Sequence, residues 1–332
     1  MKGIEVMKKL CVLLCVMCLN LCNFTIVNAT DYVMKEKSIA TSQLETFRFL
    51  QFVPSNQTAK LPLIIYLHGG SGKGDDLSLV RSYLFPTMFE NGTLSDIDAY
   101  AVCPQVPTNI NGWTQVSDSV FELIDHMCEN YNIDERKISL IGHSMGGTGT
   151  WSLAASHPER FSCIVPMSGS IGNNDKNKKA LGIMPIRAFV GSADTVVAPE
   201  TSTEFVSSLK EINADCEMTV FEGATHFDVP ELVFNNDEID IINWVLSQEQ
   251  TNSILTYGNG RVGVKISYPG KYTLIFTHFE NGVLQNISSQ EYDFEYGRSS
   301  KPAPFTLSSN DKVFLWNSIS GMSPIAKRFV IK

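Results

Sequence analysis

The sequence predicts an α/β fold, with a mostly parallel central sheet flanked by helices, followed by a small all-β sandwich-like domain. Between Phe47 and about Gln248, short apolar segments alternate with segments of helical periodicity. This alternation is typical of a parallel sheet wrapped by helices. After Gln248 the helical periodicity ends and a period of two replaces it. A chain of 332 residues, 43% of them hydrophobic, is long enough for two such units.

The predicted strands of the first unit are short and continuous, and several are rich in β-branched residues, as expected for strands buried on both faces. They are Phe47 to Val53, Leu63 to Leu67, Tyr100 to Val102, Ile138 to Ile141, Cys163 to Met167, Ile186 to Val190 and Met218 to Phe221. Helices are predicted from Val120 to Tyr131, Thr148 to Ala155, Glu204 to Ile212 and Glu238 to Leu246.

The last 80 residues or so read as strands throughout. The alternating sets Val262, Val264, Ile266 and Tyr272, Leu274, Phe276 predict two of them, and Lys312 to Trp316 and Arg328 to Ile331 predict two more. Asn281-Gly282 between two strand-like segments predicts a tight hairpin. We expect an α/β domain over residues 30–250, a linker near Gln250 to Ser253, and the β domain over residues 254–332.

Residues 1–29 have the pattern of a secretory signal peptide. Met7-Lys8-Lys9 is followed by an apolar stretch from Leu10 to about Cys22 and by the small-residue exit Val27-Asn28-Ala29. The alternative is an uncleaved anchor, but Asn20 and Asn23 shorten the apolar stretch below the roughly 20 residues that span a bilayer. The sequence therefore predicts a secreted or cell-surface protein.

The net charge of −9 argues against nucleic acid and anionic membranes as partners. No two histidines have the spacing of metal ligands, so neither a metal nor another cofactor is expected. Four of the eight cysteines lie within residues 1–29. The other four, Cys103, Cys128, Cys163 and Cys216, are widely spaced, which favours isolated buried thiols but leaves one disulfide open.

The motif Gly142-His143-Ser144-Met145-Gly146 lies between a predicted strand and a predicted helix. Strand, sharp turn and helix are the context in which a serine between two glycines becomes an exposed nucleophile. The glycines remove side chains where the strand and helix must pass closely. The sequence therefore predicts Ser144 as a nucleophile at the carboxyl edge of the sheet, and His143 as packing beside it.

A serine hydroxyl needs a base to accept its proton and an acid to orient that base. Asp194 and His226 each follow the end of a predicted strand, which gives the chain order Ser, Asp, His. Asp175, after the strand that ends at Met167, and Asp228, near His226 in sequence, are alternatives for the acid. We predict Ser144, Asp194 and His226 as the catalytic residues.

An oxyanion hole is predicted from the backbone N–H groups of Gly70 and Met145, because Gly70 lies in the glycine-rich turn after a strand and Met145 follows the nucleophile. His68 is interpreted as bracing that turn. Trp113 is predicted to line the acyl pocket, with a purely structural role as the alternative.

These residues resemble the α/β-hydrolase superfamily, and within it the secreted esterases related to feruloyl esterases, polyhydroxybutyrate depolymerases and dienelactone hydrolases. The resemblance covers about 200 residues and implies the same three catalytic roles. The matching pieces are Tyr66-Leu67-His68-Gly69-Gly70, Gly112-Trp113, Ile133-Asp134-Glu135-Arg136-Lys137-Ile138, the serine block through Trp151, His157-Pro158-Glu159-Arg160-Phe161, Gly191 to Asp194, and Thr225-His226. The tail more loosely resembles small β-modules of Firmicutes-type secreted proteins.

The sequence predicts a secreted serine hydrolase of carboxylic esters. Acetyl or feruloyl esters on polysaccharide are implied by the resemblance alone, and the short polar interval from Ser168 to Pro185 argues against a large apolar lid. We expect a small-molecule or polymer-linked ester as substrate, with carbohydrate or cell-surface contact through the C-terminal domain. Two alternatives remain: a prolyl-oligopeptidase-type peptidase, and a non-catalytic surface or adhesion protein.

Overall fold

A computed structural model describes residues 32–55, 57–212, 215–321 and 323–331 of the chain. The predicted signal peptide over residues 1–29 lies outside this part. The described residues form one eight-stranded sheet, one three-stranded sheet and one four-stranded sheet.

The eight-stranded sheet confirms the predicted α/β fold. Its strand order is β1-β2-β4-β3-β5-β6-β7-β8, and all pairs from β4 to β8 are parallel. β1 and β2 pair antiparallel with each other, as do β2 and β4. The strands are β1 (Tyr32–Ile39), β2 (Phe47–Pro54), β3 (Leu61–Leu67), β4 (Tyr100–Pro104), β5 (Ile133–His143), β6 (Cys163–Met167), β7 (Ile186–Gly191) and β8 (Cys216–Phe221).

Helices connect the parallel strands and cover the sheet. They are α1 (Ser78–Arg81), α2 (Leu84–Glu90), α3 (Ser117–Asn130), α4 (Met145–Ser156), α5 (Asp175–Leu181), α6 (Glu200–Lys210), α7 (Val229–Phe234) and α8 (Ile241–Ser247). Short 3₁₀ helices span Gly70–Gly72, Trp113–Val116 and Pro158–Arg160. The sequence pattern predicted α3, α4, α6 and α8 to within a few residues.

The two faces of this sheet bury two separate apolar clusters. Leu63, Ile65 and Leu140 point into one of them and Ile64 and Ile141 into the other, and all five are fully buried. Neighbouring residues of one strand thus serve opposite faces. This double burial explains why the strands read as continuous apolar segments.

The C-terminal region holds two antiparallel sheets, ordered β13-β10-β9 and β12-β11-β14-β15. The strands are β9 (Ser253–Gly258), β10 (Arg261–Ile266), β11 (Gly270–Glu280), β12 (Val283–Phe294), β13 (Gly297–Pro302), β14 (Lys312–Trp316) and β15 (Phe329–Val330). The predicted hairpin joins β11 to β12, with Asn281 and Gly282 at φ 49° and 78°. Both sheets contribute side chains to one apolar cluster.

Gln250 joins the two regions, because it lies between α8 and β9 and is almost fully buried. Its side-chain Nε2 donates to the carbonyls of Glu159, Phe161 and Ser267 at 2.7, 3.2 and 2.9 Å. Lys265 also lies 3.8 Å from a carboxylate oxygen of Asp215. The predicted linker begins at this residue, and the division into two domains stays a prediction.

Cys103, Cys128, Cys163 and Cys216 are all free thiols, and three of them are buried as predicted, whereas Cys128 is only partly buried. In the described part of the chain, no helix is long and apolar enough to cross a lipid bilayer.

Candidate active site

The chain turns sharply where β5 passes into α4. Ser144 stands alone between the two elements, with φ 60° and ψ −122°, a backbone conformation that costs a non-glycine residue free energy. The surrounding glycines are sterically required. A Cβ on Gly142 would lie 2.4 Å from the carbonyl oxygen of Gly146, and one on Gly146 would lie 1.9 Å from that of Leu67.

The structure brings the three predicted catalytic side chains together. The Nε2 atom of His226 lies 2.8 Å from Oγ of Ser144, and its Nδ1 atom lies 2.7 Å from Oδ2 of Asp194. The side chains of His226 and Asp194 are 3% and 0% exposed, so water does not compete for their contact. With Nδ1–H donating to the carboxylate, Nε2 is free to accept the serine proton.

The loop after β7 holds the Asp194 carboxylate in place. Its Oδ1 atom accepts hydrogen bonds from the backbone N–H groups of Val196 and Val197 at 2.8 and 2.9 Å. Burial alone would raise the pKa of Asp194, but the hydrogen bonds from these amides and from His226 outweigh it and hold the pKa below its usual range.

The two alternative acids lie elsewhere. Asp228 accepts from the backbone N–H and hydroxyl of Thr225 at 2.7 and 2.6 Å, which ties it to its own loop. Asp175 is exposed in the first turn of α5. The structure thus gives His226 the partner that the chain order predicted, Asp194.

The glycine-rich turn after β3 passes beside the nucleophile, since a Cβ on Gly69 would lie 3.3 Å from Cβ of Ser144. Gly70 and Met145 are the first residues of their helical segments. An N–H group at that position has no partner within its own helix. Both amides are therefore open to an external acceptor, and their role as an oxyanion hole stays a prediction.

His68 is fully buried and braces this turn. Its Nε2 atom accepts from the Val106 N–H at 3.0 Å, so its Nδ1 carries the proton and donates to the Gly69 carbonyl at 2.6 Å. Burial lowers the pKa of His68 to about 4. The side chain is thus a neutral structural bridge.

Trp113 is also buried, and its indole N–H donates to the carbonyl of His68 at 3.1 Å. A Cβ on Gly149 of α4 would meet this side chain at 2.7 Å. Trp113 therefore has a structural role, which was the alternative to lining the acyl pocket. It also lines a cavity of 320 Å³ together with Met145, and contact with a substrate there stays a prediction.

His143 makes a contact that the sequence did not predict. Its Nε2 atom lies 2.8 Å from the backbone carbonyl of His226, and the two rings pack with centroids 4.8 Å apart. Burial lowers the pKa of His143 to about 4, so the neutral ring donates Nε2–H to that carbonyl. The residue before the nucleophile thereby holds the loop that carries the histidine.

The parallel sheet and the strained serine between β5 and α4 define the chain as an α/β-hydrolase. Residues 90–238, which include Ser144, Asp194 and His226, match the dienelactone hydrolase family. Among the described residues, no group of three His, Cys, Asp or Glu side chains could hold a metal ion.

Comparison with known proteins finds esterases. The chain is 28% identical over 165 residues to the bifunctional acetylxylan esterase/xylanase XynS20E of Neocallimastix patriciarum, covering 48% of this chain and 23% of that protein. It is 23% identical over 156 residues to poly(3-hydroxyalkanoate) depolymerase C of Paucimonas lemoignei, covering 43% of this chain and 36% of that protein. The chain thus spans well under half the length of these relatives.

A solved structure similar to this chain is that of a thermostable esterase. The TM-score is 0.55 at 25% sequence identity, and the match covers 66% of this chain and 64% of that one.

Proposed function

We propose that the chain hydrolyses carboxylic esters through an acyl-enzyme formed on Ser144. The observation that carries the proposal is the continuous set of hydrogen bonds from Ser144 through His226 to Asp194, at 2.8 and 2.7 Å. The match to the dienelactone hydrolase family and the esterase relatives support the same class of reaction.

In the first step Oγ of Ser144 attacks the ester carbonyl while Nε2 of His226 takes its proton. The tetrahedral intermediate collapses, the C–O bond to the alcohol breaks, and His226 protonates the departing oxygen. Water then attacks the acyl-enzyme with His226 as base, which releases the acid and restores Ser144. Asp194 keeps the imidazole in the required tautomer throughout and stabilises the imidazolium.

The N–H groups of Gly70 and Met145 are proposed to bind the oxygen that becomes negative in each tetrahedral intermediate. Both donors are backbone groups, so the neighbouring contacts, including the buried bridge from His68, fix their direction before the substrate arrives. A hole built this way needs no reorganisation during the reaction.

The substrate class is proposed to be acetyl or feruloyl esters on polysaccharide. The acetylxylan esterase relative supports this class. The connection between β6 and β7 contains only the seven-residue helix α5, so it offers no large apolar lid. Phe227, next to His226 and 75% exposed, presents an aromatic surface close to the catalytic residues.

Secretion is proposed from the signal-peptide pattern of residues 1–29, and contact of the C-terminal domain with carbohydrate or the cell surface is proposed with it. The N-terminal sequence of protein collected from culture medium tests the first point. We expect the mature chain to begin at Thr30, and an intact N-terminus on secreted protein would contradict the cleavage.

A covalent probe tests the mechanism. We expect a fluorophosphonate to label wild-type protein at Ser144, located by peptide mass spectrometry, because only an activated serine reacts at a useful rate. His226→Ala should abolish labelling although Ser144 is intact. Labelling that persists in this variant, or that falls on another serine, would contradict the proposed roles.

A further inference from the structure

One face of α4 leads away from the candidate active site. Met145, Thr148, Ser152, Ala155 and Ser156 recur at spacings of three and four and are all at least partly exposed, so they line one side of the helix. We call this face and the cavities along it the helix groove. It begins at Met145, the residue directly after Ser144.

Three cavities follow one another along the helix groove. The first, of 320 Å³, contains Met145 and Thr148, and the second, of 530 Å³, contains Thr148, Ser152 and Ser156. The third, of 750 Å³, shares Ala155 and Lys176 with the second. Because neighbouring cavities share lining residues, they lie side by side along α4.

The row of three cavities is longer than a small ligand. The twelve residues of α4 rise by about 18 Å in total, and the third cavity extends the row to the C-terminal region. There Pro269, Gly297 and Arg298 form part of the wall. An occupant that reaches from Ser144 to this wall must be a chain of several units.

The far end of the helix groove is basic. Lys176, Lys178 and Lys179 on α5 line the third cavity together with Arg298, in a chain whose net charge is −9. Within the described part of the chain, no carboxylate forms a salt bridge with any of these lysines. The arginine donates to the carbonyl of Ile212 at 3.3 Å.

Two carboxylates also line this cavity, those of Glu159 and Glu295. Glu159 also lies 3.1 Å from Nδ1 of His157. Four cations against two carboxylates leave a positive surface, which attracts negative groups on a ligand.

The rest of the lining is suited to sugar hydroxyls. Thr148, Ser152, Ser156 and Ser170 are hydroxyl-bearing residues that line the second cavity. The hydroxyl of Ser156 also donates to the Leu153 carbonyl, and that of Thr148 accepts from the Ser170 N–H. Tyr296 contributes to the wall of the third cavity.

We propose that the helix groove binds a polysaccharide chain bearing carboxylate groups, with its ester at Ser144 and its uronic acid units at Lys176, Lys178, Lys179 and Arg298. This inference rests on the proposed ester hydrolysis and names the polymer that delivers the ester. The hydroxyl-lined middle holds neutral parts of the sugar chain, and the C-terminal region completes the basic end.

Binding without turnover tests this inference. The full chain with Ser144→Ala is run through native gels that contain either polygalacturonate, an ester-free polymer of uronic acids, or a neutral β-glucan. We expect retardation by polygalacturonate that weakens at high salt, and much less retardation by the neutral polymer.

Charge reversal locates the site. In the Ser144→Ala background, the triple change Lys176→Glu, Lys178→Glu and Lys179→Glu should weaken polygalacturonate binding by about tenfold or more, since three charge contacts become repulsive. The matched control reverses three exposed lysines elsewhere, Lys35, Lys37 and Lys60, and should stay within about twofold of the parent, because its net charge change is the same but remote. Thermal unfolding checks that both variants are folded.

The outcomes test separately the location of the binding site and the identity of its occupant. Equal losses in the two triple variants would show a net-charge effect and overturn the site. Equal binding of the neutral glucan, or no binding of either polymer, would overturn the proposed occupant. These measurements need no catalysis, so a negative binding result would leave the proposed ester hydrolysis intact. A protein that binds polygalacturonate but hydrolyses no ester would instead contradict the proposed function.

Discussion

Asp194→Asn is the substitution whose effect follows most directly from the geometry. Oδ1 of Asp194 accepts from two backbone N–H groups, of Val196 and Val197. An asparagine must therefore keep its carbonyl oxygen at this position, since its NH₂ group there would face two donors. The NH₂ group then points at Nδ1 of His226, which is 2.7 Å from the present Oδ2.

The expected consequence is a tautomer change. Nδ1 of His226 becomes an acceptor, so Nε2 carries the proton and donates toward Ser144 instead of accepting from it. We expect kcat to fall by about ten-thousandfold, which corresponds to about 5 kcal/mol of transition-state stabilisation. The assay is hydrolysis of p-nitrophenyl acetate at neutral pH, with thermal unfolding to show that the fold is retained.

The matched control is Asp228→Asn, because Asp228 lies two residues after His226 but its carboxylate bonds only to Thr225 among the described residues. Its kcat should stay close to that of the wild type. A loss below tenfold for Asp194→Asn, or equal losses in both variants, would refute the argument from the tautomer.

Three further predictions concern stability. Gly146→Ala should destabilise the fold by several kcal/mol, because the added Cβ would lie 1.9 Å from a backbone oxygen of β3. The control Gly70→Ala should leave the unfolding midpoint nearly unchanged, because no atom lies within 4 Å of its added Cβ. Equal midpoints of the two variants would contradict this prediction. The pKa of His143 is lowered from 6.5 to about 4, so as the pH falls the unfolded chain binds this proton before the folded chain does. This site should therefore lower the free energy of unfolding of the wild type by up to about 3 kcal/mol between pH 6.5 and pH 4. His143→Gln should show a flatter dependence in urea unfolding across that range, and parallel curves would exclude this contribution. Gln250→Glu should lower the unfolding midpoint more than Gln250→Ala, because a carboxylate oxygen would face three carbonyls; the reverse order would contradict this account of the junction.

The parallel strands and the site were predictable because their physical signals are local. A strand buried on both faces must be continuously apolar, and the residues after its carboxyl end must lie at one edge of the sheet. These two facts place Ser144, Asp194 and His226 together before any coordinates are known.

Other features carry no such signal. β1 is mostly exposed at the edge of the sheet, so it lacks both a continuous apolar stretch and a clear alternation. α5 is short and polar and reads as a loop, although its N-cap Asn174, which accepts from the N–H of Asn177 at 3.0 Å, is a recognisable start signal. The bond from His143 to the carbonyl of His226 joins residues 83 apart in the chain, and spacing cannot predict a tertiary contact of that kind.

The most direct test of the central claim compares wild-type residues 30–332 with Ser144→Ala in the release of p-nitrophenol from p-nitrophenyl acetate. Ser82→Ala, an exposed serine of the same region, serves as the control. We predict turnover in the wild type and the control, and a rate near that of buffer in Ser144→Ala. Equal rates in all three proteins would contradict the account of Ser144 as the nucleophile.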